Sequence, residues 1–281
     1  MERIAITLPA DRYEAAAAYL SLRAPQGWQE TENADGVTFT IHLEEPRLAA
    51  ALARDLEARF PGCGACPEAA PDTDWALAWR EFFTPIIAGG VFEVLPPWLA
   101  DQGHEGLTKI IIEPKMAFGT GHHATTALCL ASIGRLATGG RLRAGQRFLD
   151  LGTGSGILAI ALARLGLAGL ALDIDPQAVA CAEENVAANA CAGAVTPLAG
   201  SMEAVPEGER FELIVANILS GPLISLAPDI VPRLAPGGAL ILSGILVEQA
   251  AGVVAAYVAL GLPEPRLEVS GEWTAIVWER A

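Results

Sequence analysis

Apolar and polar positions along the chain follow two regimes that meet near residue 70. Residues 2–8 alternate as a half-buried strand does, and the alanine-rich run beyond them carries a helical pattern to about residue 22, with Asp11 placed to cap it. Strands are predicted near 27–31 and 37–43, on either side of the turn signal Asn33-Ala34-Asp35-Gly36. A second helix is predicted over 46–60 with Leu48, Leu52 and Leu56 on one face, then an edge strand near 65–69. The order βαββα with a final β predicts a small α+β unit of the split βαβ, ferredoxin-like kind over residues 1–70. That fold names no function by itself. Beside a catalytic unit, it is expected to present a substrate.

Beyond Pro67 and Pro71 the pattern predicts a linker over 71–84 that holds a short helix, Asp74-Trp75 through Trp79-Arg80-Glu81-Phe82-Phe83, with Trp75 and Trp79 sharing a face for packing. Pro85, Gly89 and Gly90 end it, and strands follow near 91–95 and 109–112. From 85 to 281 apolar runs alternate with helical patterns. Helices are predicted from Thr125 to 136, from Ser155 onward, from Asp175-Pro176 to 190, from Gly221-Pro222 onward and over 247–260. Strands are predicted over 148–151, 169–174, 194–199, 211–216 and 239–242, with a closing antiparallel pair at 267–269 and 274–278. This alternation predicts an α/β domain: a Rossmann-like, doubly wound sheet whose last strand is antiparallel. Ligands of such sheets bind at the carboxyl ends of the strands, where Gly152, Asp173 and Asn217 fall.

The chemistry concentrates at 148–160, Phe-Leu-Asp-Leu-Gly-Thr-Gly-Ser-Gly-Ile-Leu-Ala-Ile. Gly152, Gly154 and Gly156 permit positive φ and let a ligand lie against the main chain. Their Gly-x-Gly-x-Gly spacing departs from the dinucleotide fingerprint, which aims a helix at a pyrophosphate. Asp150, just before the turn, suits a cation instead. S-adenosylmethionine carries a sulfonium, an ammonium and a ribose diol, and Asp173, roughly twenty positions after Gly152, is placed to accept from ribose hydroxyls. Ser201 and Met202 fall where a loop would approach an adenine, although Met202 reads equally well as packing.

Composition narrows the partners. The 281 residues are 52% hydrophobic with a formal charge of −15, which supplies a core and argues against a nucleic-acid backbone as partner. A basic protein suits the surface better. The five cysteines, an odd number with no secretory segment, predict a reducing, cytoplasmic setting, and no apolar run reaches the roughly 18 residues of a membrane span. Cys63 and Cys66 form a C-x-x-C in a Pro-Gly turn without a second pair, and His122 and His123 lack ligand spacing, so no metal is expected. DNA and membrane partners are not expected either, and the chain is expected to be a monomer.

Four motifs together resemble a known family. The segments Phe118-Gly-Thr-Gly-His-His-Ala-Thr-Thr126, Asp150-Leu-Gly-Thr-Gly-Ser-Gly156, Asp173-Ile-Asp-Pro176 and Val215-Ala-Asn-Ile-Leu219 resemble those of the bacterial methyltransferases that modify large-subunit ribosomal protein eleven. The similarity runs from about residue 70 to the end, and the Trp-rich linker shares it. His122 stands where a threonine is common in that family, and Ala124 where proline is. The resemblance implies a class I methyltransferase fold and S-adenosyl-L-methionine-dependent N-methylation of lysine side chains and the N-terminal amine of that ribosomal protein. It implies that Thr125, Thr126, Gly152, Asp173 and Asn217 contact the cofactor, that Asp150, Gly154 and Gly156 shape its methionine end, and that Phe118 and its loop cover the site. On this reading the catalytic groups are the Asn217 side-chain oxygen and the carbonyls of Ile218 and Leu219, which accept hydrogen bonds from the incoming amine.

Three alternatives stay open at this stage. A class I methyltransferase acting on another protein, RNA or a small molecule has the same cofactor turn; against amide methylation stands Asn217-Ile218-Leu219 in place of Asn-Pro-Pro-aromatic. A dehydrogenase is disfavoured by the glycine spacing. A nonenzymatic adaptor would leave Gly152, Asp173 and Asn217 without a purpose.

Overall fold

A computed structural model of the chain describes residues 2–24, 27–33, 36–43, 45–69, 84–113 and 123–279. The predicted linker helix at 74–83 and the loop residues Phe118 and His122 lie outside the described residues. The chain divides into two units, Met1–Phe82 and Phe83–Ala281.

In the first unit the elements are β1 (Glu2–Leu8), α1 (Tyr13–Arg23), β2 (Gln29–Asn33), β3 (Gly36–Leu43), α2 (Pro46–Arg59) and β4 (Pro67–Ala69). They form an antiparallel sheet ordered β2-β3-β1-β4, the split βαβ arrangement. Strand alternation sends Ile4, Ile6 and Leu8 with Phe39 and Ile41 into one core with Leu20, Leu52 and Leu56. Two details differ from the sequence expectation. Asp11 lies inside a 3-10 turn, Ala10–Arg12, and the residue at the start of α1 is Arg12, with no side-chain cap. Leu48 is 54% exposed, and the buried stripe of α2 is Ala49, Leu52, Ala53 and Leu56; a four-residue step overshoots a 3.6-residue turn, so the row drifts off the packed face.

The second unit begins with β5 (Ile86–Ala88), β6 (Phe92–Leu95) and β7 (Thr108–Ile111), a three-stranded sheet of its own. It continues with α3 (Ala124–Thr138), β8 (Arg147–Leu151), α4 (Ile157–Arg164), β9 (Ala168–Asp173), α5 (Pro176–Ala188) and β10 (Val195–Ala199). Then come β11 (Phe211–Asn217), α6 (Ser220–Ile230), β12 (Leu234–Leu246), α7 (Ala250–Val258), β13 (Arg266–Ser270) and β14 (Trp273–Trp278). The main sheet is seven-stranded, ordered β10-β9-β8-β11-β12-β14-β13. Neighbours are parallel from β10 to β12, and β14 runs antiparallel between β12 and β13. The chain leaves β8 toward β9 and β10 and later returns to β11 on the other side. This reversal opens a crevice at the carboxyl ends of β8 and β11.

Both faces of this sheet are covered, which is why its strands read as continuous apolar runs. Phe148, Leu213, Val215, Ile241 and Val277 pack with α3 and α4 in one core, while their neighbours Leu149, Ile214, Ala216, Leu240 and Ile276 pack with Leu223, Val253 and Tyr257 in the other. Each large side chain so buried contributes about 1.5–3 kcal/mol. The site loops therefore rise from a firm floor.

Several boundaries move. Helix α4 is opened by Gly156, at φ 82° and without a side-chain cap, and not by Ser155, which lies inside the glycine turn. Strand β12 is far longer than the 239–242 expected; it starts before the Pro236-Gly237-Gly238 turn and continues past an irregularity between Leu242 and Ile245. The predicted helix over 247–260 is a 3-10 turn, Val247–Gln249, followed by α7. Strand β5 is an addition to the sequence expectation, lying between Pro85 and Gly89-Gly90, which read as a helix end.

Candidate active site

At the end of β8 the glycine turn takes left-handed backbone at all three glycines, with φ 77°, 54° and 82°. It is strapped to the end of β9: the Gly152 and Thr153 amides donate to the Leu172 carbonyl at 2.8 and 2.9 Å, and the Gly154 amide donates to Asp173 Oδ2 at 2.9 Å. The Gly156 amide donates to the Thr153 carbonyl at 2.9 Å. These four amides are spent inside the protein, so they cannot cradle a phosphate in the way the dinucleotide fingerprint does. Asp173 also accepts from the Asp175 amide at 3.0 Å, which fixes its carboxylate at the rim.

Asp150 supports the same turn from behind. It is fully buried, its Oδ2 accepts from the Thr153 hydroxyl at 2.7 Å and the Ala159 amide at 3.2 Å, and its Oδ1 has no partner among the described residues. Burial pushes the carboxyl up to about 7; the two hydrogen bonds oppose the rise and the charge of Asp173 adds to it. Asp150 thus holds the turn's shape from within the core.

In front of the turn lies a cavity of about 540 Å³, lined by Gly152, Gly154, Asp173, Ile174, Ser201 and Asn217 among others. Its volume suits a small-molecule ligand. Ile174 is 79% exposed and offers an apolar platform beside the Asp173 carboxylate. A second cavity of about 360 Å³ shares Asn217, Ile218 and Leu219 with the first and adds His123, Thr125 and Trp273. The Asn217-Ile218-Leu219 segment is the wall between them.

That wall is held from both sides. Asn217 ends β11 and pairs in register with Ser243, and the Ile218 amide donates to the Ser243 carbonyl at 3.2 Å. Ile218 is wedged between two glycines: a Cβ on Gly152 would fall 2.2 Å from Ile218 Cγ2, and one on Gly244 would fall 2.5 Å from the Ile218 carbonyl oxygen. Asn217 Nδ2 donates to the Thr126 hydroxyl at 3.4 Å, and Asn217 Oδ1 is buried with no partner among the described residues. Helix α6 takes Leu219 as its N-cap without a side-chain bond, so Asn217 does not serve as its cap. An orphaned buried oxygen at a cavity wall is an acceptor awaiting a donor.

The predicted residues therefore divide. Gly152, Gly154, Asp173, Ser201 and Asn217 share the first cavity, and Thr125 faces the second. Thr126 is buried behind Asn217, Gly156 caps α4, and Met202 is packed into the core at 6% exposure rather than lining the cavity. Phe118 lies outside the described residues. His123, weighed in the sequence only as a metal ligand or a loop hydrogen-bonding residue, lines the second cavity with Trp273, which the sequence did not single out; their rings meet edge to face at 4.8 Å and 67°. His123 Nδ1 accepts from the Thr125 amide at 3.4 Å, with the Thr125 hydroxyl 2.8 Å away. Their separation along the chain gave no local signal. Among the described residues no group of His, Cys, Asp and Glu is placed to hold a metal ion, and no helix is long and apolar enough to cross a membrane.

The first cavity offers acceptors, Asp173 and Asn217, while the amides of Gly152, Thr153, Gly154 and Gly156 are already paired, which fits a ligand bearing ammonium and hydroxyl donors and no phosphate. A profile of the ribosomal protein L11 methyltransferases matches residues 31–281. The chain belongs to that family. It is 39% identical over 272 residues to the ribosomal protein L11 methyltransferase of Pelotomaculum thermopropionicum, covering 92% of this chain and 85% of the relative. It is 42% identical over 234 residues to that of Chloroflexus aurantiacus, covering 74% and 70%. The crystal structure of a ribosomal protein L11 methylase from Lactobacillus delbrueckii subsp. bulgaricus superposes with a TM-score of 0.62 at 31% identity, over 70% of this chain and 99% of that one. The resemblance drawn from the motifs is thus confirmed, as are the class I methyltransferase fold and S-adenosyl-L-methionine as cofactor.

Proposed function

We propose that the protein transfers methyl groups from S-adenosyl-L-methionine to lysine side-chain and N-terminal amines of ribosomal protein L11, in the cytoplasm. The observation that carries this reading is the pair of cavities divided by Asn217-Ile218-Leu219, one rich in acceptors beside the glycine turn and one walled by His123 and Trp273. The first takes the cofactor and the second takes the amine. Gly152, Asp173 and Asn217 would hold the cofactor, Asp173 through ribose hydroxyls, with Thr126 supporting Asn217 from behind, while Asp150 and Gly156 keep the turn in shape. The names of the relatives support the acceptor, and the formal charge of −15 suits a basic ribosomal protein.

When bound, S-adenosyl-L-methionine supplies a methyl group already activated on a positive sulfonium. The protein's share is then positioning and exclusion of water. A lysine at its ordinary pKa of about 10.4 sits roughly 3.4 units from neutrality at pH 7, a cost of about 4.6 kcal/mol. His123, Trp273 and Leu219 strip water from the alkyl stem, and desolvation beside a positive charge lowers the amine pKa, so no strong base is required. Asn217 Oδ1 and the carbonyls of Ile218 and Leu219 offer acceptors for the two N–H groups of the neutral amine and would aim its lone pair past the rim of this segment, directly at the methyl group. Residues 1–70 present the ribosomal protein, and the enzyme acts as a monomer.

The test incubates the full chain with methyl-labelled cofactor and either isolated ribosomal protein L11 or total RNA, and locates label by mass spectrometry. Label on lysines and the N-terminal amine of the protein is expected. Label in the RNA, or on neither, would overturn the acceptor assignment.

A further inference from the structure

Helix α5 presents two asparagines one turn apart, Asn185 within it and Asn189 at its end, at 2% and 1% exposure. Burying such amides is costly unless every polar atom is paired. Both are paired almost wholly with backbone. Asn189 Oδ1 accepts from the Ile111 amide at 2.9 Å, and its Nδ2 donates to the Ile111 carbonyl at 2.6 Å and the Asn185 carbonyl at 2.8 Å. Asn185 Oδ1 accepts from the Glu113 amide at 3.1 Å, and its Nδ2 donates to the Ser155 carbonyl at 2.8 Å and approaches Cys181 Sγ at 3.6 Å.

One half of this pattern is edge protection. The even-numbered residues along β7 turn their backbone toward β6, with the Thr108 amide donating to the Val91 carbonyl and the Ile112 amide to the Leu95 carbonyl. Ile111 and Glu113 therefore face outward, and the asparagines take the place of a further strand. Edge protection accounts for Asn189 completely. It leaves the second arm of Asn185 unexplained, because Ser155 belongs to the glycine turn and not to the edge.

We infer that Asn185 is a positioning residue of the cofactor site, locking the last peptide of the glycine turn through the Ser155 carbonyl while it docks β7 through Glu113. The Ser155 carbonyl and the Gly156 amide share one peptide plane, and that amide donates back to Thr153. Fixing the carbonyl fixes the closing bond of the turn. Asn189 grips the same strand without reaching the turn, which makes it the matched control.

This inference rests on the reading that the turn holds the cofactor. The experiment measures S-adenosylhomocysteine affinity by calorimetry and melting temperature by scanning fluorimetry on the full chain, for wild type, Asn185→Ala, Asn185→Asp and Asn189→Ala. The aspartate keeps the shape and the acceptor toward Glu113 but loses the donor to Ser155, and it carries the test should the alanine variant not fold. Affinity is expected to fall about tenfold in both Asn185 variants, and to stay within about twofold of wild type in Asn189→Ala, even where the two alanine variants lose similar melting temperature. Asn185 variants that bind within about twofold of wild type, or an Asn189→Ala loss of the same size, would overturn the inference alone. A wild-type chain that binds no S-adenosylhomocysteine would overturn the cofactor assignment and the inference with it.

Discussion

Replacing Asn217 by alanine separates a site residue from a structural one. Its Oδ1 is buried at the cavity wall without a partner among the described residues, so truncating it breaks no described hydrogen bond there. Its one recorded bond, from Nδ2 to the Thr126 hydroxyl, is long at 3.4 Å and belongs at the low end of the roughly 0.5–1.5 kcal/mol that hydrogen bonds contribute. Truncation removes that bond along with a small packing contribution. The net change in stability is then within about 1 kcal/mol of zero, a melting-temperature shift of about 2–4 °C at most for a domain of this size. Turnover behaves differently. Loss of a preorganised group that acts on the reacting centre costs about 2.7–4 kcal/mol, so kcat is expected to fall about 10²–10³-fold. Label transfer to ribosomal protein L11 reads kcat, and scanning fluorimetry reads stability. A kcat within about threefold of wild type, or a collapse of melting temperature that accounts for the lost activity, would refute the role.

Other perturbations follow from the same geometry. Gly244 has φ 81° and sits 2.5 Å, in Cβ terms, from the Ile218 carbonyl, so Gly244→Ala is expected to lower the melting temperature and methyl transfer together; an unchanged melting curve would contradict the wedge. For Asp150, raised to about 7 by burial, the folded state holds a proton that the unfolded chain releases near pH 4. Its contribution is therefore complete below pH 4 and is lost as pH rises toward 7. Asp150→Asn should flatten that part of the stability profile, which urea melts between pH 4 and 8 would check. Glu93 is the opposite case. Burial pushes its carboxyl up, but hydrogen bonds from the His104 ring and amide, both at 2.7 Å, together with the charges of His104 and Lys109, outweigh burial and hold it low. Its stabilisation is present above the ordinary carboxylate range and disappears as pH falls through the lowered value. Acid unfolding of Glu93→Gln should accordingly lose part of the wild-type slope.

The sheet was legible because its signals are local. Apolar runs covered on both faces, Asp175-Pro176 at the head of α5 and three alternating glycines each constrain their own neighbourhood, and the structure has an Asp175 cap and left-handed glycines there. The carboxylate of Asp173 was likewise readable from its distance to Gly152. What escaped depends on contacts between distant segments. Trp273 meets His123 across most of the second unit, and no periodicity in either segment announces it. Asn185 and Asn189 look in sequence like ordinary polar positions on a helix, yet they are buried against the backbone of β7. Asp150 looked like a partner for a cation, whereas its side chain turns inward to Thr153 and Ala159. Ser155 looked like a cap because serine favours that position, but the third glycine takes the turn one residue further.

The central claim is that the cofactor and the amine reach the Asn217-Ile218-Leu219 segment from its two sides and meet at its rim. A crystal structure of the full chain with S-adenosylhomocysteine and a lysine-containing peptide of ribosomal protein L11 tests it most directly. The account predicts the cofactor against Gly152 and Asp173, the peptide's lysine entering past His123 and Trp273, and its amine within hydrogen-bond distance of Asn217 Oδ1. A lysine that enters through the cofactor cavity, or an amine held away from Asn217, would contradict it.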